Sequence, residues 1–87
     1  MRETILRRKR NMYDIFAKIL KIARNGTGKT RIMYLANLSF ESLEEYLKTL
    51  IELELIEPCG ENGSVYKTSA KGMKYLSTFA MLRKTVS

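Results

Sequence analysis

Few of the residue types that do covalent chemistry occur in this chain. Its 87 residues include no histidine, one cysteine (Cys59) and one aspartate (Asp14). Histidine is the commonest general base near neutral pH, and its absence removes the usual partner that would make Cys59 a nucleophile. A zinc ion would find one thiolate and carboxylates, short of the nitrogen and sulfur ligands it takes. One cysteine also closes no intrachain disulfide. A single segment has the look of a phosphate-binding loop: Ala23-Arg24-Asn25-Gly26-Thr27-Gly28-Lys29-Thr30, with alanine where the loop's first glycine belongs. Such a loop works by following a strand and opening a helix within a βαβ unit, so that backbone amides face the phosphates. Here a helical pattern precedes it, and the chain is too short for the surrounding parallel sheet. Neither enzyme activity nor a metal or cofactor is expected, and no small-molecule ligand is evident.

Cationic side chains are plentiful, and their placement is uneven. Residues 1–31 hold ten Lys or Arg and two acids (+8). Residues 32–63 hold one Lys and seven Glu (−6), and residues 64–87 hold five Lys or Arg and no acid (+5), within a net +7. Two basic ends flanking an acidic middle suit a partner dense in negative charge. Phosphate contacts from Lys and Arg supply most non-specific affinity for DNA. Arg7-Arg8-Lys9-Arg10 forms a basic arm suited to track a DNA backbone or enter a minor groove. Lys29 and Arg31 stand at the start of a predicted second helix, where free amides also favour a phosphate. Lys67, Lys71 and Lys74 follow the predicted hairpin.

A membrane is a poorer partner. No apolar run approaches the roughly 20 residues needed to span a bilayer, and the chain starts without a signal peptide's apolar stretch. Arg7 to Arg10 lack an adjacent aromatic anchor, and there is no lipidation signal. The expected location is the cytoplasm, in association with the nucleoid.

The elements that must position these groups follow from periodicity. Met12, Ile15, Phe16, Ile19 and Ala23 recur at helical spacing and predict a first helix over Asn11–Asn25, ended by Asn25-Gly26. Gly26-Thr27-Gly28 reads as a flexible connection. Thr30 then offers an N-cap for a short helix through Ala36, with Ile32, Met33, Leu35 and Ala36 inward. After the break Asn37-Leu38-Ser39, Ser39 caps a third helix to about Leu53. Leu38 and Leu43 form its hydrophobic staple, and Leu43, Leu47, Leu50 and Ile51 its inward stripe. Two helices across so short a break must cross steeply, which is a helix-turn-helix.

The period then changes. Leu55–Cys59 and Ser64–Lys67 read as strands of a tight hairpin, with Asn62-Gly63 supplying positive φ angles. Thr68 caps a final helix. Its Met73, Leu76 and Ala80 suit the core, while Tyr75, Phe79, Leu82 and Val86 repeat as a short coiled-coil seam. The fold class is mainly α with a small β-hairpin (α+β): a winged helix-turn-helix of three helices, a β-wing and a C-terminal helix. It divides into a basic arm over 1–10, the winged domain over 11–69 and a dimerisation helix over 70–87.

Lys29-Thr30-Arg31-Ile32-Met33-Tyr34 with Ala36-Asn37-Leu38-Ser39-Phe40 resembles the second helix and turn of small archaeal winged helix-turn-helix DNA-binding proteins, among them the ten-kilodalton chromatin-associated dimers of Sulfolobus. Leu53-Glu54-Leu55-Ile56 and Thr68-Ser69-Ala70-Lys71-Gly72 are similar to that family's approach to the wing and exit from it. The resemblance implies double-stranded DNA binding, dimerisation through the C-terminal helix and no cofactor. This chain differs from the family in two ways: about fifteen residues follow Gly72, where the family has a long coiled-coil helix, and its third helix carries Glu41, Glu44, Glu45 and Glu52 against Lys48.

The expected function is therefore that of a DNA-binding homodimer, a transcription regulator or chromatin-associated factor. It docks through its basic termini, and Ser39, Ser42 and Lys48 do any base reading. Several glutamates near phosphates would repel, so the alternative is a protein-interaction winged helix whose acidic third helix is the contact face.

Overall fold

In the computed structural model, which describes residues 2–86 and the side chains of residues 12–82, the order is α1 Arg2–Ile22, β1 Thr27–Gly28, α2 Lys29–Ala36, α3 Phe40–Glu52, β2 Ile56–Cys59, β3 Val65–Thr68 and α4 Ala70–Val86. The expected sequence of helix, helix, helix, hairpin, helix holds. One core unites it. Phe16, Ala17, Ile19, Leu20 and Ala23 of α1 meet Ile32 and Ala36 of α2, Leu43, Leu47 and Leu50 of α3, then Leu55, Ile56 and Leu76. The α3 leucines lie four and three residues apart, which puts them on one helical face. Ile51 and Leu35, expected inward, are 36% and 43% exposed and belong to the surface.

α1 begins well before Asn11. The backbone of residues 2–10 belongs to this helix, so the segment expected as an arm is its first half. Leu, Arg and Lys are good helix formers, and no breaker stands before Asn25-Gly26. The side chains of Arg7, Arg8, Lys9 and Arg10, like that of Val86, lie outside the described residues.

Gly26-Thr27-Gly28 is more ordered than a flexible connection. Thr27 and Gly28 pair antiparallel with Tyr66 and Val65, giving a three-stranded sheet in the order β1-β3-β2. Pro58 is tolerated because β2 is an edge strand, where a missing N–H costs no ladder bond. The β2–β3 loop is looser than a two-residue turn: Cys59 pairs with Val65, and the positive φ angles fall on Gly60 and Gly63 rather than on Asn62.

Capping also departs from expectation at two of three places. Gly28, not Thr30, is the N-cap of α2 and offers no side-chain acceptor. Ser39 caps α3 as predicted, accepting from the Ser42 amide at 3.1 Å. Ser69, not Thr68, caps α4, accepting from the Gly72 amide at 3.0 Å. Thr68 instead closes α1. Its hydroxyl, buried, donates to the Leu20 carbonyl at 2.6 Å and its amide donates to the Ala23 carbonyl at 3.0 Å, meeting acceptors that a helix end leaves open.

Both helices of the helix-turn-helix end alike. Asn37 (φ 58°) and Glu54 (φ 62°) are left-handed, followed by bonds from Leu38 to Met33 and from Leu55 to Leu50 across six residues. Asparagine takes that conformation readily, glutamate less so. Glu54 is held there by its neighbours, since its carbonyl accepts from the Ser69 hydroxyl at 2.7 Å.

Candidate nucleic-acid interface

α2, the turn at Asn37–Ser39 and α3 form the two crossed helices that present a surface to a groove in helix-turn-helix proteins. Lys29, the first residue of α2, donates from Nζ to Glu44 Oε2 of α3 at 2.5 Å, and its ammonium lies 5.4 Å from the centre of the Phe40 ring. That hydrogen bond holds the Lys29 pKa above its ordinary value. Lys29 was expected as a phosphate contact, yet its charge is already matched within the fold. Arg31, two residues on, is exposed.

Along α3 the exposed polar residues are Glu41, Glu44, Glu45, Lys48, Thr49 and Glu52. Ser39 spends its hydroxyl on the cap, since it also donates to Ser42 Oγ at 3.0 Å. Ser42 is half-buried and Lys48 is exposed. Glu44, Glu45, Leu47, Lys48, Ile51 and Glu52 with Tyr66 of β3 line an open groove between α3 and the hairpin. Tyr66 and Thr68 share one face of β3. By the alternation of a strand, Lys67 points to the other, away from that groove, beside Glu57 in the neighbouring strand. Lys71 lies 3.8 Å from Glu54, both well exposed. The predicted cations of this half therefore do not form one patch; Lys29, Lys67 and Lys71 each sit beside a glutamate.

α1 and α4 differ from this. Thr68, just ahead of α4, bonds to Leu20, and the Tyr75 hydroxyl bonds to the Tyr13 carbonyl at 3.3 Å. As α4 rises, α1 descends, so the two helices pack antiparallel. Burial, then Tyr13 and Asp14, raise the Tyr75 pKa. The face α4 turns to the core matches the expected one only in part: Leu76 is buried as expected, together with Gly72, while Tyr75 and Phe79 of the expected seam pack half-buried against the core with rings stacked at 6.1 Å. Met73, at 38%, and Ala80 are exposed. Of the expected seam, Leu82 remains open at 58%, with Met81 beside it at 68%.

The role of Glu44 had no local signal in the sequence, because Lys29 is fifteen residues away. Exposed Phe40 and Tyr34, at 59% and 82%, were likewise not singled out as surface residues.

This order of a helix-turn-helix followed by a hairpin and a last helix matches known proteins. Residues 9–87 match the winged helix-turn-helix family. The chain belongs to that family. This winged helix-turn-helix chain is also similar in fold to Sso10a-2, a DNA-binding protein from Sulfolobus solfataricus whose crystal structure is known. The TM-score is 0.70 at 23% sequence identity, over 85% of this chain and 82% of that one. No curated protein matches the sequence. Among the described residues, no helix is long and apolar enough to cross a membrane.

Proposed function

We propose that this winged helix-turn-helix protein binds double-stranded DNA, as a transcription regulator or chromatin-associated factor, and docks chiefly through α1 and α4. The observation that carries this is the antiparallel pairing of the two basic helices. α1 holds seven Lys or Arg against two acids and α4 holds four against none. Their directions carry Arg7 to Arg10 and Arg83-Lys84 toward the same end of the molecule. A polyanion is engaged by such a cluster without reading sequence. That the similar Sso10a-2 is a DNA-binding protein supports the same reading. Arg31 and Lys48 add contacts from the helix-turn-helix, and base reading, where it occurs, falls to Lys48 and Ser42.

The test is a titration of a random duplex against salt. A log–log slope of several units is expected, since each neutralised phosphate contributes about 0.9; a slope near zero overturns the reading. The DNA-bound form we propose is a homodimer, joined at the outer end of α4 around Leu82. Sedimentation of Leu82→Glu beside the unchanged protein checks this, because equal masses would refute it.

A second reading, a protein partner on α3, is favoured by the open groove of Glu44, Glu45, Ile51, Glu52 and Tyr66. Failure to shift random duplex at moderate salt would favour it over DNA.

A further inference from the structure

The helix-turn-helix half contains a contact that opposes the function proposed above. Lys29 opens α2, and its N-cap Gly28 supplies no side-chain acceptor for the first amides of that helix. An ammonium beside open helix-start amides is a favourable setting for a phosphate. In the folded chain the ammonium is spent elsewhere: Glu44 Oε2 accepts its proton at 2.5 Å and the Phe40 ring lies beneath it. Both partners of the pair are part-exposed, with side chains 31% and 44% accessible, so a competing oxyanion can reach them. Glu41 and Glu45 stand exposed on the same helix and add to the negative field around the pair.

Resting on the reading of this protein as a DNA binder, we infer that Glu44 acts as an intramolecular stand-in for a DNA phosphate, holding Lys29 in an internal pair that keeps its charge from the duplex. Glu44 thereby sets affinity. It removes one cation from the count that contacts the backbone and leaves docking to α1 and α4. A carboxylate and a phosphate present the same kind of charged acceptor to an ammonium, so releasing one lets the other take its place.

The experiment compares four full-length proteins on one random duplex across a salt series: unchanged, Glu44→Gln, Lys29→Gln, and the double variant. Glu44→Gln keeps the shape of the side chain and loses only its charge. It should bind roughly 3- to 10-fold tighter near 0.1 M salt, with a log–log slope steeper by about 0.9, the value of one added phosphate contact. Lys29→Gln should keep the slope of the unchanged protein, and the double variant should lose the steepening. A Glu44→Gln slope equal to that of the unchanged protein overturns the inference. So does steepening that survives in the double variant, since Glu44 would then act by general repulsion. In either case salt-dependent binding by the unchanged protein would leave the DNA reading standing. If neither the unchanged protein nor Glu44→Gln shows any salt dependence, the DNA reading falls and the inference with it.

Discussion

α3 and α4 rest on the same core through the same kind of anchor, yet their outer faces carry opposite charge. α3 buries Leu43, Leu47 and Leu50 and shows Glu41, Glu44, Glu45 and Glu52 against Lys48. α4 buries Gly72 and Leu76, half-buries Tyr75 and Phe79, and exposes Lys71 and Lys74, with no acid in its sequence. The apolar stripe decides where a helix sits; the residues facing away are free to decide what it meets. In this molecule the helix that topology offers to a groove is the negative one. The excess of Lys and Arg lies instead in the sequences of α1 and α4. Membership of the fold family therefore does not fix the docking face, and surface charge has to be read residue by residue.

Four variants break or sharpen that contrast. The largest effect is expected from Gly72→Ala, which attacks the seat of α4 against Leu55 and Thr68. A Cβ at Gly72 would lie 2.1 Å from the Leu55 carbonyl oxygen and 2.6 Å from Thr68 Cγ2. Backbone cannot yield as a side-chain tip does, so stability should fall by about 3 kcal/mol, at the upper end for overpacking; an unmoved urea midpoint would contradict the close approach. Next comes the charge of α1. Neutralising Arg7, Arg8, Lys9 and Arg10 together as glutamines should weaken binding to every duplex roughly 100-fold at low salt and flatten the salt slope by up to about 3.6. Unequal losses among sequences would assign base reading to α1.

Thr68→Val keeps the shape and removes the bond to the Leu20 carbonyl. A loss of about 1–2 kcal/mol in thermal or urea melts is expected, since a buried acceptor goes unmet. The smallest effect is that of Tyr75→Phe, which loses one part-exposed bond to Tyr13, about 0.5 kcal/mol. It also changes the alkaline limb. The folded Tyr75 pKa lies above the ordinary 10.0 because burial disfavours its anion. The stability tied to its proton is whole below the unfolded value and is lost as pH climbs through the folded one. The Phe variant should therefore lose less stability than the unchanged protein as pH rises past the ordinary tyrosine value of 10.0, and identical alkaline limbs would remove Tyr75 from that account.

The order of elements was legible because it rests on local signals: the α3 leucine spacing, Ser39 as a cap, and the switch to strand period after Leu53. What escaped the sequence was decided by long-range contacts. Thr68 and Ser69 are both good caps, and only the nearness of Leu20 determines that the first closes α1 while the second opens α4. Thr27-Gly28 reads as a linker until Val65 and Tyr66 supply a strand to pair with. Glu54 carries no left-handed signal, and its conformation follows from Ser69 and the Leu50 carbonyl. On α4, Leu76 was read correctly as core, and Tyr75 and Phe79 were misplaced for a similar reason. Tyr75 and Phe79 make as good a seam as a core face, and α1, lying antiparallel, claims them first. For the cations, the residue types were legible and their pairing with glutamates was not, since Lys29 and Glu44 meet only through the crossing of α2 and α3.

The double grip of Thr68 on Leu20 and Ala23 bears on how the protein sits on a partner. It clamps the last turn of α1 to the strand that leads into α4. The basic layer therefore cannot swivel against the helix-turn-helix without giving up two bonds at a closed joint. Were the protein to dock on a duplex as proposed, where grooves recur about every 10.5 base pairs, a body rigid at that joint would meet it in a single rotational setting.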